Sequence, residues 1–98
     1  MTVVEKAQPL LDPTKLALPG RPRIDAIEVQ DYIDTTGEGA LLLQVILNED
    51  TTDDDITGEA IIAIRRAIRE QLLGSGIREF PYVVFAKRSE LEEPDIVD

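Results

Sequence analysis

The apolar positions of this chain change their period several times, and each change marks an element. From Ile24 to Asp34 the sequence IDAIEVQDYID sets Ile27, Val29 and Ile33 on one side of an extended segment, with Glu28, Gln30, Tyr32 and Asp34 on the other. That alternation predicts a half-exposed strand. The following TTGEG, Thr35 to Gly39, supplies the glycines that a short hairpin loop uses for positive φ. ALLLQVILN then predicts a second strand that is apolar on both sides. Leu41, Leu43, Val45 and Leu47 share one face while Leu42 and Ile46 belong to the other, the pattern of a central strand covered twice.

Past an acidic loop, Ile56, Ala60, Ile61, Ile64, Ala67, Ile68 and Leu72 recur at spacings of three and four, which predicts an amphipathic helix ended by Gly74-Ser75-Gly76. A third strand follows over Arg78 to Ala86. It sets Phe80, Tyr82 and Val84 on one side, Val83 and Phe85 near the other, and its Pro81 argues for an edge position. The predicted class is therefore α+β: a small three-stranded β-β-α-β domain over 24–88, one helix packed on one sheet face. The second strand is placed centrally, because the first carries repeated acids and the third a proline. A first strand at the centre, as in half of a ferredoxin-like domain, is the alternative order.

Residues 1–23 carry Pro9, Pro13, Pro19 and Pro22 and read as an extended N-terminal arm. Asp12 before Pro13 suits a helix cap and first position, and Pro19-Gly20 suits a stop, so a turn or two of helix fits between them. Leu10, Leu11, Leu16 and Leu18 are more apolar than a solvated leader needs. Residues 89–98, SELEEPDIVD, read as an acidic tail in which Ser89 and Glu92 suit one capped turn.

Composition narrows the chemistry. At 98 residues one domain with a modest core is expected, and with aromatics at only 4% that core is aliphatic. Twenty acidic against 10 basic residues give a net charge of −10, which works against phosphate backbones and anionic membranes. Nucleic acid is not expected as a direct partner. Cysteine and histidine are both absent, removing disulfides, thiolate nucleophiles, soft metal ligands and the usual neutral-pH proton shuttle. The N-terminal residues lack the pattern of a secretory signal and no apolar run reaches membrane-spanning length, so the expectation is a cytoplasmic protein with no membrane association.

The acidic loop NEDTTDDDITGE, residues 48–59, holds six carboxylates. A helix-loop-helix calcium site needs ligands at loop positions 1, 3, 5 and 12 and glycine at 6. Counting from Asn48 brings Asp50, Thr52 and Glu59 into register but puts Asp53 where the glycine belongs; counting from Asp53 places Gly58 correctly but ends on Ile64. A cap explains the same residues with nothing missing. Thr52 and Asp55 suit a capping box, Asp53–Asp55 sit where a helix macrodipole favours negative charge by about 0.3–1 kcal/mol each, and the regular helix is free to start nearer Thr57. No metal and no cofactor is expected here.

Shorter motifs reduce to turns. Gly37-Glu38-Gly39 resembles the start of a nucleotide loop, but Leu42 stands where its last glycine belongs and a strand follows. Asp31 interrupts the apolar side of the first strand, so it needs a buried partner, a bulge or an edge position open to water. Charge is strongly polarised: no Lys or Arg lies between Ile24 and Ile64, whereas residues 57–88 hold Arg65, Arg66, Arg69, Arg78, Lys87 and Arg88 against Glu59, Glu70 and Glu79.

One helix covers one sheet face, yet the second strand is apolar on both. Something else must cover the other: the arm, a second copy or another protein. The function expected from this mismatch is a non-catalytic protein-interaction module, a homo-oligomer or the acidic subunit of a complex. Leu42, Ile46, Val83 and Phe85 would supply the apolar contact, and Arg65, Arg66 and Arg69 would set its orientation. The alternative is a carboxylate-dependent or Mg²⁺-assisted enzyme fragment using Asp31 or the acids of 49–55 with one of those arginines, for which no catalytic residue can be named.

Overall fold

The structure, a computed structural model, describes residues 2–33 and 35–92. It is an α+β fold with a mixed three-stranded sheet. Strand β1 spans Ile24–Ile33, β2 Gly39–Leu47 and β3 Phe80–Lys87; helix α1 spans Val3–Ala7, α2 Gly58–Gly74 and α3 Arg88–Glu92. The strand order is β1-β2-β3, with β2 antiparallel to β1 and parallel to β3. Among the described residues no helix is long and apolar enough to cross a membrane.

Local chemistry sets the element ends. Gly37 takes φ +86° in the hairpin loop, a conformation that a residue with a Cβ rarely adopts. At the start of α2 the Thr57 hydroxyl accepts the Ala60 N–H at 3.1 Å. At its end Gly76 takes φ +81°, the Gly76 N–H donates to the Leu73 carbonyl at 3.0 Å, and the Ile77 N–H donates to Leu72 at 2.9 Å. Those paired bonds form a Schellman motif, and its hydrophobic contact is provided by Leu72 and Ile77, both buried in the core.

The pleat divides the sheet into two faces. Ile27 and Val29 of β1 lie across from Val45 and Leu43 of β2, and on the far side of β2 Leu43 pairs with Val83 and Val45 with Phe85. This face carries the core: Ile27, Val29, Leu41, Leu43, Val45 and Leu47 form one buried cluster with Ile64, Ile68 and Leu72 of α2. Asp31 continues that face opposite Leu41 but is exposed, because β1 is an end strand; the register irregularity lies between Ile24 and Ala26 and not at Asp31.

The arm departs from its extended reading. Residues 3–11 are helical, α1 running into a 3₁₀ turn over Gln8–Leu11, with a second 3₁₀ turn over Pro13–Lys15. The missed signal is the capping box Thr2-x-x-Glu5: the Glu5 N–H donates to the Thr2 hydroxyl at 3.1 Å, and the Thr2 N–H donates to the Glu5 carboxylate at 2.9 Å. Ala7 and Leu11 are buried in the same cluster as α2. Three side-chain bonds fix the arm: Gln8 Nε2 donates to the Ile27 carbonyl at 2.7 Å, Gln8 Oε1 accepts the Val29 N–H at 3.0 Å, and Gln71 Nε2 donates to the Leu10 carbonyl at 3.0 Å. The arm thus joins α2 in the core and seals the outer edge of β1.

Candidate functional site

The register builds the second sheet face in rows across the three strands: Ala26, Ile46 and Ala86; Glu28, Gln44 and Val84; Gln30, Leu42 and Tyr82; Tyr32, Ala40 and Phe80. At one end the half-buried Ala26 and Ala86 flank Ile46, which is wholly inaccessible. The hairpin end is aromatic. Tyr82 meets Tyr32 edge-on at a centroid distance of 5.1 Å and Phe80 at 4.8 Å, the T-shaped geometry aromatic quadrupoles favour. These rings and the neighbouring Val84 are open to solvent: Phe80 is 54% exposed, Val84 44%, Tyr32 38% and Tyr82 37%. The one charge in those rows, Glu28, is countered by Arg88 at 3.8 Å, so this face is close to neutral on a chain of net charge −10.

Sequence reasoning placed Leu42, Ile46, Val83 and Phe85 together, and the parallel register separates them. Leu42 pairs with Tyr82 and Ile46 with Ala86, whereas Val83 and Phe85 pack against the core cluster on the opposite face. Ile46 is buried and offers no surface. The exposed apolar groups on this face that sequence reasoning did not single out are Tyr32, Phe80, Tyr82 and Val84. Arg65, Arg66 and Arg69 are exposed on α2. Arg65 and Arg69 line a groove of about 310 Å³ between α2 and the stretch Phe80–Val84 of β3; Arg66 does not.

The acidic loop is occupied by partners from elsewhere in the chain. Asp53–Asp55 form a 3₁₀ turn separate from α2, in which the Thr52 N–H donates to Asp55 Oδ2 at 3.0 Å. Arg21 clasps the Asp55 carboxylate with two donors, Nε at 3.3 Å and Nη2 at 2.7 Å, while Arg23 pairs with Asp50. Glu49 accepts both the N–H and the hydroxyl of Ser89, at 3.0 and 2.8 Å. The acids diverge towards different neighbours instead of converging, and among the described residues no group of three or more is arranged to hold a metal ion.

These contacts lower carboxylate pKa values. The Arg21 guanidinium, followed by the Thr52 N–H, holds Asp55 below the usual range, and the Ser89 N–H and hydroxyl do the same for Glu49. A carboxylate with a depressed folded-state pKa stabilises the fold above its unfolded value, near 4, and that contribution is lost as pH falls through the folded value. The thermal midpoint is therefore expected to drop as pH is lowered from about 5 towards 3. Asp55→Asn should flatten this dependence, measured by circular dichroism melts at stepped pH. An unchanged acid slope in that variant would mean the Arg21 clasp contributes nothing to the folded state. Comparison with known protein families, curated proteins and solved structures finds no match to this chain.

Proposed function

We propose that this chain is a small non-catalytic protein-interaction module of the cytoplasm that associates with a second copy of itself through the sheet face bearing Tyr32, Leu42, Phe80, Tyr82 and Val84. On this reading the β-β-α-β layer uses α2 and the arm to close one face and leaves the other for a partner. The observation that carries the proposal is the exposed aromatic cluster at one end of a nearly uncharged sheet face. A chain of this net charge repels its own copies wherever acids meet, and the neutral rows are where two copies can stack sheet on sheet, with faces about 10 Å apart.

The test is solution molar mass by light scattering on the full chain at low and high salt. A dimer is expected, strengthened by salt because screening relieves the net repulsion without weakening apolar contact. Tyr82→Asp places a charge on the exposed face and should return the protein to a monomer with its circular dichroism unchanged. A wild-type monomer at both salts, or a dimer that survives Tyr82→Asp, would overturn self-association through this face.

A further inference from the structure

The two edges of the sheet are treated differently. The outer edge of β1 is closed where Gln8 bonds the backbone of Ile27 and Val29, and the strand itself carries an irregularity near Asp25 in its pairing with β2. Both are devices that stop another strand from pairing. The outer edge of β3 has neither: among the described residues no side chain hydrogen-bonds the backbone of Phe80–Ala86 on that side. Along this edge runs the groove floored by Phe80–Val84 and flanked by Arg65 and Arg69. Neither arginine makes an ion pair or hydrogen bond among the described residues, although 20 acidic side chains are present in the chain.

We propose that the β3 edge takes an extended acidic peptide as a fourth strand, with carboxylates at alternate positions held by Arg65 and Arg69. The geometry behind the alternation is elementary. Residues four apart on a helix are about 6 Å apart along its axis, and side chains on one face of a strand repeat every 6.6–6.8 Å or so. Two acids separated by one residue therefore match two arginines one helical turn apart, each guanidinium offering a two-pronged bond to a carboxylate. The intervening residue of such a peptide points to the opposite sheet face, beside Phe80, Tyr82 and Val84, and is best apolar. Pro81 has no N–H to give, so main-chain pairing draws on the residues beyond it and edge-to-edge pairing is less indiscriminate. The groove shares Phe80, Tyr82 and Val84 with the self-association face, but Arg65, Arg69 and the β3 main chain lie outside that face, so the proposal does not rest on self-association.

The experiment titrates the full chain into a fluorescently labelled peptide of alternating Glu and Val, followed by anisotropy, with an alternating Lys and Val peptide and a block peptide of the same composition, four Glu then four Val, as controls. Saturable binding of the Glu-Val peptide is expected. Arg65→Glu combined with Arg69→Glu should weaken it by on the order of tenfold or more. The double variant should keep the circular dichroism and molar mass of the wild type, because both side chains are exposed. Amide exchange should slow in β3 when the peptide binds. No saturable binding, equal binding of either control peptide, or an affinity untouched by the double variant would overturn the assignment. Saturable binding that depends on Arg65 and Arg69 in a wild-type chain that is monomeric in solution would support the assignment while overturning self-association.

Discussion

Ile46→Asp is expected to leave no folded protein at neutral pH. Ile46 is wholly inaccessible on the central strand β2, between Ala26 of β1 and Ala86 of β3. Truncating a buried isoleucine costs about 2–5 kcal/mol by itself. A carboxylate at that position adds a desolvation penalty of several kcal/mol, or must take up a proton to avoid it. Neither alanine neighbour brings a side-chain donor. The combined loss is of the same order as the total stability of an ordinary domain, about 5–15 kcal/mol. Far-UV circular dichroism at pH 7 should show an unfolded chain, and lowering the pH towards 5 should recover structure in part as the carboxyl is neutralised. A folded variant with the urea midpoint of the wild type would mean that position 46 reaches solvent. The contrast with Tyr82→Asp, on the same face two rows away, separates a folding position from an association position.

How much of this was legible depended on whether the signal was local. The alternation over Ile24 to Asp34 and the apolar run over Ala40 to Leu47 pointed to two strands, because each pattern reports its own burial, and favoured β2 at the sheet centre with β1 there as the alternative. The parallel join of β2 to β3 was different. It is set by the crossover through α2 and not by any turn, and a slip of one residue exchanges the two faces of β3. Both residue sets of β3 are apolar, Phe80, Tyr82 and Val84 against Val83 and Phe85, so composition could not choose between them. The acidic loop was a case where the information lay in the hairpin. Pairing Ile24 with Leu47 places Arg23 beside Asn48, and the Asn48 N–H donates to the Arg23 carbonyl at 2.9 Å. The cations just before β1 are thereby delivered to the acids just after β2, a consequence available once the two strands are paired but invisible to a search for cations along the loop itself.

Leu11→Ala is the variant that decides whether residues 1–23 belong to the fold, and it is expected to lose about 2–4 kcal/mol of unfolding free energy. Leu11 is 1% exposed and sits in one cluster with Ala7, Leu43, Ile64, Ile68 and Leu72. The backbone around it is fixed from two sides, by Gln71 on the Leu10 carbonyl and by Gln8 on the edge of β1, so the arm has little freedom to collapse into the space left by the lost side chain. A cavity that cannot relax places the cost towards the upper part of the range. Urea unfolding followed by circular dichroism should show a lower midpoint with an unchanged slope, since the surface exposed on unfolding is nearly the same. Leu73→Ala on α2 is the matched control: Leu73 is 56% exposed, and its loss should fall within about 0.5 kcal/mol of zero. If both variants gave that small value, the arm would be a solvated leader and the sheet face under it would be bare. If Leu11→Ala alone is costly, the arm is part of the core, it is spent on the face that α2 also covers, and the aromatic face across the sheet is left for a partner.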